Sequence, residues 1–358
     1  MSGPPRVSVV VAVFERKERT LACLGTLLAQ TLTDAEIVVV DDGSEDGTAE
    51  AIEALAAGGG RIPIRLLRNG VNRGANASRN RGSEAARAPV VAFLDSDCLA
   101  DPDWLEELVR PFADPRVGAV SGLVEDTCRD NVWELAFSGT HRLPRRGPSS
   151  RLTSCNLAVR RELVAGGRWD ESRPTRRTPD GARPDTAISA RCDEEGLNLG
   201  IRAAGWKVLA EPAARVRHVH PYTRRSLLRQ AFYGGCSVAE IVWKYRLPPR
   251  RDLAPMFAAW LAVPIAAVLA TRDARWWLLP ATLALLAIAA VCWNERRMKG
   301  KSIGELLRSA PALVVYYHGR MAGYLFRRGQ IAFGIRRPAR VDRTALAAGF
   351  PTAPGSRG

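Results

Sequence analysis

The chain has 358 residues, a formal net charge of +15 and seven cysteines. Its length accommodates one domain of about 240 residues plus an appendage, and the odd, scattered cysteines argue against a disulfide framework or a zinc site and for reduced thiols. Basic excess raises the question of nucleic acid, but the Lys and Arg residues gather around apolar spans and the C-terminal tail, so no nucleic-acid partner is expected.

Val7 to Val13 reads as a buried strand ending at Phe14-Glu15-Arg16, followed by a helical stretch with Leu21, Leu24, Leu27 and Leu28 on one face. Ile37 to Val40 is a second apolar strand, and it ends in Asp41-Asp42-Gly43-Ser44. Strand, helix, strand predicts a parallel βαβ unit. Gly43 permits a tight turn, and Ser44 or Asp46 can cap a helix over Thr48 to Ala57. Asp41 and Asp42 are left at the carboxyl end of the strand, where either of them can also serve as a cap.

A third strand, Ile62 to Leu67, leads into Asn69-Gly70-Val71-Asn72-Arg73-Gly74-Ala75-Asn76-Ala77-Ser78-Arg79-Asn80-Arg81-Gly82, which enters a helix through Ala85-Ala86. Val90 to Leu94 then reads as an inner parallel strand that stops at Asp95-Ser96-Asp97. Open α/β sheets bind ligands at that end. Two carboxylates one residue apart suit one hard cation, magnesium or manganese, or a ribose and a metal-bound diphosphate. The bland alternative is a turn that caps the helix near Pro102-Asp103-Trp104.

These segments, in this order over about the first hundred residues, resemble the GT-A fold glycosyltransferases of family 2. The resemblance rests on Val7 to Glu15, Asp41-Asp42-Gly43-Ser44, Asn72-Arg73-Gly74 with Ser78-Arg79-Asn80, and Asp95-Ser96-Asp97. It implies a nucleotide-diphosphate sugar donor laid across the strand ends, contacted by Val13, Glu15, Asp41, Asp42, Gly74, Arg79, Asp95 and Ser96. Asp42 or Asp41 would accept the ring N–H of uracil or thymine. Gly74 would admit the nucleotide close to the backbone, and Arg79 would offer a charge-assisted contact. Asp95 would lie near the ribose and Asp97 on a Mg2+ or Mn2+ ion.

Residues 151–171 match the family's acceptor half, which places Asn156, Trp169 and Asp170 on the acceptor side. Cys192-Asp193-Glu194-Glu195 precedes a helix whose Leu197, Ile201 and Ala204 share a face and which Gly205 closes. By the resemblance an acid here is the general base of an inverting displacement. The order Asp-Glu departs from the family's Glu-Asp and leaves Asp193 and Glu194 as alternatives. The basic span 172–191 is longer than the family's usual connection and reads as a mobile loop. His218, at a strand end, would complete the metal shell, or else be a structural histidine. Gln230 followed by Ala-Phe-Tyr-Gly departs from the polymerising synthases' motif, which points to transfer of one sugar.

Leu253 to Thr271 and Trp276 to Trp293 are uncharged apolar stretches of 19 and 18 residues, expected to form a transmembrane or re-entrant hairpin. Flanking Lys244, Arg246, Arg250, Arg251, Arg296, Arg297, Lys299 and Lys301 would place the catalytic domain on the cytoplasmic face of the inner membrane. No N-terminal apolar segment reads as a signal peptide. The expectation is therefore an α/β GT-A domain over 1–240, with a donor half at 1–110 and an acceptor half at 111–240. A membrane hairpin would follow over 241–300, then an interfacial amphipathic segment over 301–335 on an anionic membrane, and a disordered tail over 336–358. A membrane-presented or lipid-linked acceptor follows from that arrangement. The competing classes are a nucleotidyltransferase, for which a Gly-rich, Lys-bearing loop after the first strand is missing, and a catalytically degenerate membrane scaffold.

Overall fold

The computed structural model describes residues 3–141, 146–171, 194–248, 254–273, 275, 278–335 and 337–355. Asp193 and the span 172–191 lie outside them. The chain divides into two compact units, the first from 1–125, 143–219 and 341–358, the second from 126–142 and 220–340.

The strands run β1 (Val7–Val13), β2 (Ala35–Asp41), β3 (Ile64–Arg68), β4 (Val90–Leu94), β5 (Cys98–Ala100), β6 (Val117–Asp126), β7 (Gly139–His141), β8 (Gly147–Pro148), β9 (Asn156–Arg160) and β10 (Lys207–His218). The sheet of the first unit orders them β3-β2-β1-β4-β9-β6-β10-β5, with β8 beside β10. β1 pairs in parallel with β2 and β4, β2 with β3, and β9 enters antiparallel to both β4 and β6. The result is a mixed sheet whose parallel half is the βαβ unit expected from the sequence.

Strand periodicity explains why this sheet is covered on both faces. Val9, Val11, Ile37 and Val39 join one buried cluster with Leu24, Ile52 and Trp104. Their neighbours Val10, Val38 and Val40 join the other, with Phe93, Trp169, Leu197 and Trp206. Successive side chains leave opposite faces, so an uninterrupted apolar run fits only an inner strand. Glu36 is the exception inside β2, fully buried, where its carboxylate accepts from Ser8 Oγ at 2.7 Å, Arg87 Nε at 2.8 Å and Arg65 at 3.1 Å. Burial alone would raise its pKa, but these donors and the Arg87 amide outweigh it and hold the carboxyl below its ordinary value.

The expected disordered tail is instead packed into the first unit. Phe350 and Ala353 join the second buried cluster, and Trp206 Nε1 donates to the Pro351 carbonyl at 2.7 Å. The Phe350 ring lies against Gly200 on the helix Glu194–Ala203.

The expected transmembrane hairpin, and with it the inner-membrane placement, is overturned, because among the described residues no helix is long and apolar enough to cross a membrane. Helix Ala254–Ala270 has 17 residues with Pro264 inside it, about 25 Å at the helical rise, against a bilayer core of about 30 Å. Helix Leu278–Lys299 is longer, but Glu295, Arg296, Arg297 and Lys299 occupy its last turns. Helix Ile303–Ala332, expected to lie on a membrane surface, crosses helix Arg224–Lys244 within the second unit with backbones in near contact. An added Cβ at Gly235 would sit 1.9 Å from the Arg320 carbonyl oxygen, and one at Gly323 would sit 1.8 Å from that of Phe232.

Candidate functional site

The carboxyl ends of β1, β2 and β4 gather the acidic motifs, as parallel strands require. Val13 closes β1 and pairs with Asp41, and its carbonyl accepts the Asp42 amide at 2.7 Å. The chain then turns through Glu15 and Arg16, whose φ values are 57° and 66°. Left-handed backbone at two successive non-glycine residues is unusual. It is held by the Glu15 amide, which donates to Ser44 Oγ at 2.7 Å. Gly43 sits at φ 83° because that turn presses on the next loop: a Cβ there would lie 2.9 Å from the Val71 carbonyl carbon.

Asp41 and Asp42 are both buried, 3 % exposed, but do different things. Asp41 accepts the Ser44 amide at 3.3 Å and shapes the turn. Asp42 accepts from Asn69 Nδ2 at 2.7 Å, the Arg73 amide at 2.9 Å and the Gly74 amide at 2.7 Å. A carboxylate has about four acceptor positions, so three protein donors make Asp42 the tether of the 69–74 loop. Gly74 starts helix Ala75–Ala85 at φ 100°, which a side chain would resist.

That helix delivers Arg79 to the site. Arg79 is 8 % exposed and donates to Asp95 Oδ1 at 2.9 Å and to Asn76 Oδ1 at 3.0 Å. Its guanidinium lies over the Trp169 ring, 5.1 Å from the centroid, and Trp169 meets Phe93 edge to face at the same distance. The turn carrying Trp169 is bolted to the helix: Asn80 exchanges hydrogen bonds with the Trp169 backbone at 2.9 Å in each direction, and Asn76 Nδ2 donates to the Asp170 carbonyl at 2.8 Å. Trp169 and Asp170 thus position Arg79. Asn156 is fully buried as a staple, accepting from Trp104 Nε1 and donating to the Leu123 and Ala214 carbonyls, each at 2.9 Å.

Asp95, Ser96 and Asp97 form the turn between β4 and β5, closed by the Cys98 amide donating to the Asp95 carbonyl at 3.0 Å. Asp95 and Ser96 are half-buried and Asp97 is buried. His218, at the end of β10, places Nε2 3.4 Å from Asp97 Oδ1, and Arg16 places its guanidinium 2.9 Å from Asp97 Oδ2. One ligand atom each from Asp97, Cys98 and His218 lies within 4.8 Å of the others. A carboxylate and an imidazole converging in this way suit a divalent cation. Glu194 and Glu195 stand in the first turn of the helix Glu194–Ala203, half-exposed.

Sequence reasoning missed Arg16, Cys98 and the paired Asn76 and Asn80. All of them lie beside or inside motifs already singled out, Cys98 directly after Asp97, but the approach of Cys98 to His218 had no signal, since the two are remote in sequence.

Residues 8–164 match the family described as Glycosyl transferase family 2. The chain is 35% identical over 166 residues to the glycosyltransferase AglE of Haloferax volcanii, covering 45% of this chain and 54% of that protein. It is 29% identical over 239 residues to a pre-mycofactocin glycosyltransferase of Mycobacterium tuberculosis, covering 65% of this chain and 47% of that protein. The matched region thus spans about half the length of these two relatives. Among solved structures, the mannosyltransferase PcManGT from Pyrobaculum calidifontis, in complex with GDP-Man and Mn2+, is similar with a TM-score of 0.54 and 20% identity, over 93% of this chain and 88% of that one. That likeness establishes the GT-A-type fold.

Proposed function

We propose, from the match of residues 8–164 to the family described as Glycosyl transferase family 2, that the protein moves one sugar from a nucleotide-diphosphate sugar to a hydroxyl acceptor with inversion. The observation that carries this reading is the single turn after β4, where Arg79 holds Asp95 while His218 and Arg16 face Asp97. Asp97 and His218 would hold a divalent cation, which when bound would neutralise the diphosphate leaving group.

The chain's own residues do the rest. Arg79, fixed by Trp169 and Asn76, holds Asp95 by a charge-assisted hydrogen bond and orients it toward the ribose. Asp42 fixes the 69–74 loop, so the nucleotide meets a preformed wall rather than one ordered on binding. An acid at the head of the helix Glu194–Ala203, Glu194 or Asp193, takes the acceptor hydroxyl proton as it attacks. Gln230, whose Nε2 donates to Tyr222 Oη at 3.0 Å, is followed by Ala-Phe-Tyr-Gly, which supports transfer of one sugar without polymerisation. A lipid-phosphate acceptor accords with the net charge of +15.

The test is turnover of UDP, GDP and dTDP sugars by the full chain with Mn2+, scored as transfer or slow donor hydrolysis. Metal-dependent release of one nucleoside diphosphate supports the reading. Silence with every donor, together with no metal-dependent nucleotide binding, overturns it.

A further inference from the structure

The donor-site reading uses Asp97 and His218 but leaves Cys98 without a role, although it shares their pocket. β5 and β10 pair antiparallel with Cys98 directly opposite His218, and directly opposed residues send their side chains to the same face. The sulfur of Cys98, a carboxylate oxygen of Asp97 and a ring nitrogen of His218 lie within 4.8 Å of one another. Zinc binds S, N and O ligands at about 2.0–2.3 Å, so donors round one ion stand roughly 3–4 Å apart, and to reach it the Cys98 thiol turns from its hydrogen bond with Cys155. The scattered cysteines of the sequence argue against a zinc site only so long as the pairing of β5 with β10 is unknown.

We propose that Asp97, Cys98 and His218 form a thiolate-containing site for a zinc-class divalent cation, which competes with the hard cation of the donor site. The proposal rests on the reading that Asp97 and His218 face a cation. Cys98 is fully buried, whereas the side chains of Asp97 and His218 are 9 % and 18 % exposed. The ion therefore enters past the carboxylate and imidazole and meets the thiol as the floor. Magnesium and manganese prefer oxygen donors and leave that thiol protonated, while a zinc-class ion takes the thiolate and the thiol proton passes to solvent. Three protein ligands leave the fourth tetrahedral position open to water or a phosphate oxygen. Arg16, 41 % exposed and paired with Asp97, swings outward as the ion arrives.

The full chain is titrated with Co2+, a coloured stand-in for zinc, without donor. A sulfur-to-cobalt charge-transfer band should appear, vanish when Zn2+ is added, and be absent in Cys98→Ser. Zinc should displace Mn2+ at concentrations about tenfold or more below those of Mn2+ itself, and Cys98→Ser should shrink that preference to what the remaining carboxylate and imidazole give. Cobalt binding without the band, or a band that persists in Cys98→Ser, overturns the proposal. Should Cys98→Ser fail to fold, zinc X-ray absorption of the unaltered protein decides: one Zn–S distance supports the site and none overturns it. The band needs no sugar donor, so it appears or fails independently of glycosyl transfer.

Discussion

Arg16 and Asp97 are 81 positions apart and meet in an ion pair of 2.9 Å between a half-exposed guanidinium and a buried carboxylate. If Asp97 holds a cation as proposed, the arginine competes with it for the same carboxylate. With solvent screening the pair on the arginine side, it is worth about 1 kcal/mol. Arg16→Ala should therefore tighten Mn2+ binding by up to about fivefold, read by calorimetry on the donor-free protein. Unchanged or weaker binding would show that Arg16 does not compete with the cation.

Arg79 is the buried charge on which Asp95 depends. Arg79→Met keeps most of the side chain's volume over Trp169 but leaves Asp95 without its guanidinium. Losing one partner of such a pair costs about 2–5 kcal/mol, so kcat/KM for the donor should fall at least thirtyfold. Arg79→Lys, unable to reach Asp95 and Asn76 together, should recover only part of it.

Asp42→Asn replaces a carboxylate that accepts three hydrogen bonds with an amide that can accept on one oxygen only. Hydrogen bonds to charged acceptors contribute about 1.5–3 kcal/mol each, and a loss of about 2 kcal/mol in urea unfolding is expected. Amide exchange should accelerate first at Arg73 and Gly74, whose N–H groups lose the carboxylate. Uniform acceleration across the sheet would rule out a local tether.

Glu36 sets an acid limit on stability. Its folded pKa is depressed, so the folded state binds the proton less readily than the unfolded state. The stability it supplies is complete above its ordinary value near 4.5 and is lost as pH falls from there through the lower folded value. Glu36→Gln should be less stable at pH 7 yet show a flatter decline in unfolding free energy below about pH 4.5. Parallel curves for the two proteins would refute this.

Gly235→Ala should destabilise the second unit by about 3 kcal/mol, because its methyl group meets the Arg320 carbonyl and the helices must separate. Gly329→Ala lies in the helix Ile303–Ala332 that carries Arg320, with nothing within 4 Å, and should instead gain about 0.5–1 kcal/mol from helix propensity. The opposite signs, measured by thermal unfolding, separate a packing requirement from a general intolerance of alanine.

The parallel half of the sheet was legible because Ile37 to Val40 and Val90 to Leu94 are too uniformly apolar for anything but inner strands, and Asp41 and Asp95 mark where they stop. Trp169 was read as an acceptor-side residue and Asn156 likewise, since sequence does not tell an aromatic or amide that meets a ligand from one that braces a neighbour. Phe350 sits in a stretch rich in Arg, Pro, Gly and Ala that reads as frayed, yet one aromatic ring against Gly200 suffices to anchor it. The apolar spans gave the clearest error: their length and lack of charge suggested a crossing and their prolines at most a re-entrant hairpin, but a span is decided by continuous helical length.

The sequence by itself determined the order of the elements and the chemistry available at each strand end, since both follow from local periodicity and side-chain type. Only the tertiary structure decided which of those groups meet. Arg16, Cys98 and His218 converge on Asp97 because β1 and β4 run parallel while β5 and β10 run antiparallel. Pairing and register are set by the burial of whole faces at once, so no single motif along the chain could have fixed them.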